Sequence, residues 1–144
     1  MPVDPYYLSY IAARHKFKTN IILSGRYTNN YMKDYLIKLI LKYIAQKKLK
    51  KDSKILIAGI SYKYGVSDIR NSLGLKIFNE IHKNFINTKF YDPFINLKNQ
   101  HNGIKEAIKF KLIIFLSSGK NYKNLFNQSV KNNQLILDPF GYFS

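Results

Sequence analysis

Apolar residues along the chain fall into two regimes. Over the first fifty residues they recur at helical spacing. "DPYYLSYIAARHKF" opens with Asp4 and Pro5, an N-cap followed by proline at the first helical position. A polar break, "KTN", follows. Then "SGRYTNNYMKDYLIKLILKYIAQKKL" predicts one long helix, residues 24–49. Met32, Tyr35, Leu36, Leu39, Ile40, Tyr43 and Ile44 form one face, and Ile37 and Leu41 widen it, so burial on two sides is expected. Such a face is too wide for one small layer to cover, which predicts self-association through this helix.

Beyond residue 50 the rhythm changes. "KILIAG", "KLIIFLS" and "LILD" are short runs of branched apolar residues, the pattern of strands buried on both faces, and "TKFYDP" adds a further short strand. Helical segments at "NSLGLKIFNEIHKNF", "GIKEAIKF" and "KNYKNLFNQSV" lie between them. Strand–helix alternation implies a parallel sheet with crossover connections. The predicted fold is α/β: a helical segment, residues 1–50, followed by a small Rossmann-like sandwich, residues 51–144.

Charge changes this picture less than its size suggests. The formal net charge is +16, yet Arg14, Arg26 and Arg70 are the only arginines. Lysine, asparagine, isoleucine, tyrosine and phenylalanine share AT-rich codons, so a low-GC genome produces this composition without selection for a polyanion. Readers of bases and phosphates also favour the bidentate arginine. The composition therefore argues against a nucleic-acid partner. The chain has no cysteine, hence no disulfide and no thiol nucleophile of its own. No run approaches the ~20 apolar residues of a membrane span, so a cytoplasmic location with no membrane partner is expected. His15, His82 and His101 have no metal-ligand spacing, and no metal site is expected.

Candidate chemistry concentrates in "GISYKYGVSDIRNS", between the first strand and its helix. Strand-to-helix loops usually need only about 2–6 residues. This one is longer and lies beyond the carboxyl end of a strand, where open α/β sheets bind ligands. Gly59 and Gly65 stand alone, without the spacing that clamps a dinucleotide. Lys63 and Arg70 are cations, Tyr62 and Tyr64 offer aromatic faces, and Asp68 can orient Arg70. That set suits a phosphorylated ligand with a flat base. It equally suits a surface loop stapled by an Asp68–Arg70 pair, with Asn71 or Ser72 capping the next helix. "YDP" and "DPFG" read as turns.

Together these stretches resemble the C-terminal portion of the UDP-glucose/GDP-mannose dehydrogenase family, most closely the bacterial UDP-N-acetylhexosamine 6-dehydrogenases. "PVDPYYL" is similar to the segment just after the family's catalytic cysteine, in Gly-Gly-His-Cys-x-x-Val-Asp-Pro-Tyr-Tyr-Leu. "IILSGRYTNNYM" resembles the start of the family's central dimerisation helix, and "KILIAGISYKYGVSDIRNS" its nucleotide-binding loop. The resemblance implies a UDP-sugar ligand, NAD as cofactor and a homodimer built on the helix over residues 24–49. The implied reaction oxidises the sugar C6 alcohol to a carboxylate for polysaccharide synthesis.

Residue by residue, Asp4 matches the aspartate that handles protons and water during thioester hydrolysis. Tyr62 and Lys63 match the pair that contacts the nucleotide sugar, and Asp68, Arg70 and Ser72 match an Asp-x-Arg-x-Ser motif. Where many relatives have Asp-Gly-Arg, this chain has Asp138-Pro139-Phe140, so no arginine carries over there. The catalytic cysteine and the NAD domain are expected to lie outside these residues, with a separately encoded N-terminal half as a candidate partner. Three functions follow: part of a nucleotide-sugar dehydrogenase inactive by itself, a UDP-sugar-binding and dimerisation module without catalysis, and a basic nucleic-acid-associated protein.

Overall fold

The structure, a computed structural model, describes residues 4–98, 100 and 104–143, with the side chains of residues 4–6, 26, 104 and 105 left undescribed. The chain divides into two compact units, residues 1–35 and 36–144.

The first unit is helical. α1 (Asp4–Arg14) ends where Lys16 adopts a left-handed conformation, φ 61°, and the Phe17 N–H donates back to Ala12 O. The next helix, α2 (Asn20–Gln46), starts four residues earlier than the apolar pattern predicts. Thr19 sets that start: its carbonyl accepts from Leu23 N–H at 3.1 Å, and its hydroxyl donates to Ser9 Oγ at 2.9 Å. Gly25 sits within the helix without ending it. Among the described residues no helix is long and apolar enough to cross a membrane.

The second unit begins within α2 and continues as an α/β sandwich. β1 (Ile55–Ala58), β2 (Thr88–Tyr91), β3 (Leu112–Phe115) and β4 (Leu135–Leu137) form a parallel sheet in the order β2-β1-β3-β4. Side-chain alternation sends Ile55, Ile57, Leu112 and Ile114 to one face. There they pack with Leu36, Ile40 and Ile44 of α2 and with Ile77, Phe78 and Ile81 of α3 (Leu73–Asn84). Leu56, Ala58, Ile113 and Phe115 turn to the other face, against Ala107, Phe110, Tyr122 and Leu125. Tyr122 and Leu125 belong to α4 (Lys120–Lys131).

Two expectations change in detail. "GIKEAIKF" forms a 3-10 helix, Ile104–Lys109, rather than an α-helix. Its three-residue repeat brings Ala107 and Phe110 onto one buried face, and Phe110 N–H donates to Ala107 O at 3.0 Å. The wide face of α2 is covered within the chain from Leu36 onward: Ile37, Leu41 and Tyr43 pack partly buried on the same core. The Tyr43 hydroxyl donates to Ile136 O at 3.1 Å, and burial raises its pKa. The uncovered apolar side chains lie earlier, where Leu23, Tyr27, Tyr31 and Tyr35 follow one another at four-residue spacing, all exposed.

Candidate functional site

The strand order defines where a ligand fits. From β1 the chain crosses to β2 on one side; from β2 it returns past β1 to β3 on the other. The carboxyl ends of β1 and β3 therefore flank the switch point of the sheet, the usual crevice for ligands in such folds. The β1 and β3 ends meet closely there. Gly59, at φ 101°, leaves no room for a side chain, since a Cβ would strike Ser117 Cβ.

The loop over residues 59–72 leaves β1 at this point and is braced from several elements. Ile60 N–H and Ser61 N–H donate to Asp92 Oδ2 at 3.0 and 2.9 Å. The Ile60 carbonyl accepts from the Ser72 hydroxyl, which also caps α3 by accepting from Leu75 N–H at 3.2 Å. Tyr62 N–H donates to Asp68 O at 2.7 Å, closing the loop on itself. Between these last two residues the chain reverses through a Lys63–Val66 turn with Gly65 at φ 85°.

The candidate side chains separate into distinct roles. Asp68 and Arg70 pair: Arg70 Nε and Nη2 donate at 3.0 and 2.8 Å, and Arg70 N–H donates to Asp68 Oδ1 at 2.8 Å. These bonds hold the Asp68 carboxyl down to about 2 and raise the Arg70 guanidinium. The staple forms, and both side chains remain on the surface. Tyr64, 40 % exposed, is anchored along part of its ring. Its ring lies over Gly119, where a Cβ would sit 2.5 Å away, and packs edge-on to Phe94 and Tyr122. Tyr62, 59 % exposed, has no ring partner among the described residues, and Lys63 has no carboxylate partner among them. Tyr62 and Lys63 are therefore the free aromatic face and the free cation of the loop. Asp4 opens α1, but its side chain lies outside the described residues, as does His101.

Asp92 is the residue that sequence reasoning missed. "YDP" reads as a turn, and Asp92 does make one, its Oδ1 accepting from Phe94 N–H at 3.1 Å. Yet it is fully buried, and its other oxygen reaches across to the β1 loop. The available signal was position: a lone acid at the carboxyl end of β2 in a strongly basic chain. Its charge is felt nearby. Tyr122, fully buried with its hydroxyl lacking a well-formed hydrogen bond, has its pKa raised by burial first and by Asp92 second. Tyr91 is raised by the same two causes in the same order.

Two further features lie elsewhere. A cavity of about 240 Å³ opens at the amino ends of the strands, lined by Lys54, Asn87, Thr88 and Phe110 among others, away from this loop. "DPFG" forms a turn in which Gly141 N–H donates to Asp138 O and Phe143 N–H to Asp138 Oδ2. Among the described residues no group of histidine and acidic side chains could hold a metal ion.

Comparison with known proteins agrees with this architecture. Residues 56–144 match the model of the UDP-glucose/GDP-mannose dehydrogenase family, UDP binding domain. UDP-N-acetyl-D-glucosamine 6-dehydrogenase of Pseudomonas aeruginosa is 30% identical over 95 residues, which is 65% of this chain and 22% of that protein. UDP-N-acetyl-D-mannosamine dehydrogenase of Methanocaldococcus jannaschii is 28% identical over 145 residues, 94% of this chain and 32% of that protein. The chain thus spans a third or less of the length of these relatives. Among solved structures, the UDP-D-ManNAc dehydrogenase of Pyrococcus horikoshii shares the fold with a TM-score of 0.76 at 22% identity, over 99% of this chain and 36% of that one. The UDP-N-acetyl-mannosamine dehydrogenase of Staphylococcus aureus gives 0.65 at 27% identity, over 81% and 27%.

Proposed function

The chain belongs to the UDP-glucose/GDP-mannose dehydrogenase family, and we propose that its α/β domain holds the UDP part of a nucleotide sugar during NAD-dependent oxidation at C6. One observation carries this reading. Within the stretch matched to the family's UDP-binding domain, the loop at the switch point presents a free aromatic ring, Tyr62, beside a free cation, Lys63. A flat base and a diphosphate need those two groups. In this reading Lys63 neutralises phosphate charge and Tyr62 packs against the nucleotide. Asp68 and Arg70 shape the loop, with Arg70 adding positive potential.

Oxidation of an alcohol to a carboxylate through the family's thioester needs a thiolate and a bound nicotinamide. No cysteine occurs among these 144 residues, so the part proposed for them is binding. The thiol and the NAD site are proposed to come from polypeptide other than these residues, in a cytoplasmic enzyme that supplies uronic acids for surface polysaccharide. Asp4 is proposed to join that centre. The helical segment, residues 1–50, is proposed as the surface through which two copies meet, with the ridge of Leu23, Tyr27, Tyr31 and Tyr35 at its contact. The same absence of a thiol favours a second reading, a UDP-sugar-binding and dimerisation module without catalysis.

Calorimetric titration with UDP tests the reading. A charge-assisted hydrogen bond contributes about 1.5–3 kcal/mol, so Lys63→Ala is expected to weaken UDP binding roughly tenfold or more. Lys47→Ala, which removes an exposed lysine lying over the Tyr43 ring, is expected to change little. Equal effects of the two would reduce UDP to a polyanion on a basic surface and end this reading.

A further inference from the structure

Residues 60–62 are held from three directions. The Ile60 and Ser61 amides are fixed by the carboxylate at the end of β2, the Ile60 carbonyl by the cap of α3, and the Tyr62 amide by the far side of its own loop. The first of these tethers is the unusual one. Asp92 is fully buried, no cation faces it among the described residues, and three backbone N–H groups surround it. A buried carboxylate in that setting is sustained by charge-assisted bonds to the backbone. Two of the three lie on the loop immediately before Tyr62 and Lys63.

The position of these amides has a chemical meaning. In phosphate-binding α/β folds, amides just after the first strand turn toward the phosphate. Here the corresponding N–H groups are already occupied by the protein's own anion. A phosphate has no place on them, and its recognition falls to side-chain cations further along the loop.

We propose that Asp92 is a positioning residue that fixes the loop in its nucleoside-diphosphate-binding form, aiming Tyr62 and Lys63 while withholding the Ile60 and Ser61 amides from the phosphates. This rests on the reading of the loop as a UDP site. The role is one of preorganisation: a loop already held in place loses less freedom when ligand arrives.

A double-mutant cycle on the 144-residue chain tests it, with UDP as the probe. Asp92→Asn retains the shape but removes the charge and sets an NH2 group against backbone N–H groups. It is expected to weaken UDP about tenfold in the wild-type background and only about twofold when Lys63 is already alanine, because coupled residues are not additive. The same factor in both backgrounds would overturn the role of Asp92. An unchanged affinity in Lys63→Ala would instead bring down the reading of the site itself.

A measurement on the unaltered chain keeps the test independent of how well the variant folds. Amide exchange at Ser61 is expected to be slow without UDP and little changed by it. Fast exchange that slows only on adding UDP would mean that the ligand, not Asp92, organises the loop.

Discussion

Gly74→Ala is the substitution whose effect the structure constrains most tightly. Gly74 is the second residue of α3 and fully packed. A Cβ there would strike the Gly59 carbonyl oxygen and lie 2.8 Å from Ile60 Cα and 3.2 Å from Gly59 C. Every one of these atoms is backbone, so no side chain can swing aside. Gly59 is itself closely packed, since a Cβ on it would strike Ser117 Cβ. Alanine gains about 1 kcal/mol over glycine in a helix, but overpacking costs typically 1–3 kcal/mol, at the upper end when backbone must move.

The net expectation for Gly74→Ala is a loss of about 2 kcal/mol, roughly 30-fold in the folding equilibrium and about 8 °C in melting temperature. Urea unfolding followed by circular dichroism should give a lower midpoint at unchanged slope. Gly25→Ala is the matched control: it lies within α2, exposed, with nothing within 4 Å of its Cβ. The same change there should be neutral or stabilising by up to about 1 kcal/mol. A Gly74→Ala protein at or above the wild-type midpoint would refute the close approach of α3 to the β1 loop.

The Asp68 carboxyl is expected to titrate near 2 by carbon NMR; because its folded pKa is depressed, the Arg70 pair is complete above the ordinary carboxylate range and is lost as pH falls toward 2, and a midpoint at or above 3.8 would show that the staple does not form in solution. Sedimentation velocity at micromolar concentration is expected to show a dimer that Tyr27→Glu with Tyr31→Glu dissociates, while a wild-type chain that is wholly monomeric would remove the proposed role of this ridge.

The sheet was legible in the sequence because its strands are continuous branched runs. Ile55–Ala58 and Leu112–Phe115 are apolar at every position, and burial on both faces demands that. The helices α3 and α4 and the capping by Ser72 follow from local pattern too. What the pattern could not resolve depends on contacts far apart in the chain. Tyr62 and Tyr64 look alike in "SYKYG", and only the position of Gly119 turns one of them into an anchor. Asp92 had a sufficient local explanation as a turn residue, so nothing nearby disclosed that its second oxygen faces Ile60 and Ser61. The apolar width of α2 was visible, but its division between a covered end and an exposed end follows from where the sheet sits beneath Leu36, Ile40 and Ile44.

The central place of β1 has a kinetic consequence. β1 is the first of these four strands along the chain, and both of its partners, Thr88–Tyr91 and Leu112–Phe115, come later. Parallel pairing of this kind is non-local and slow to form. While the ribosome is still adding those strands, both edges of β1 are unpaired, and its Leu56 and Ala58 face still lacks Ala107, Phe110, Tyr122 and Leu125. Chaperone capture during synthesis, or aggregation where capture fails, is thus a liability built into the strand order.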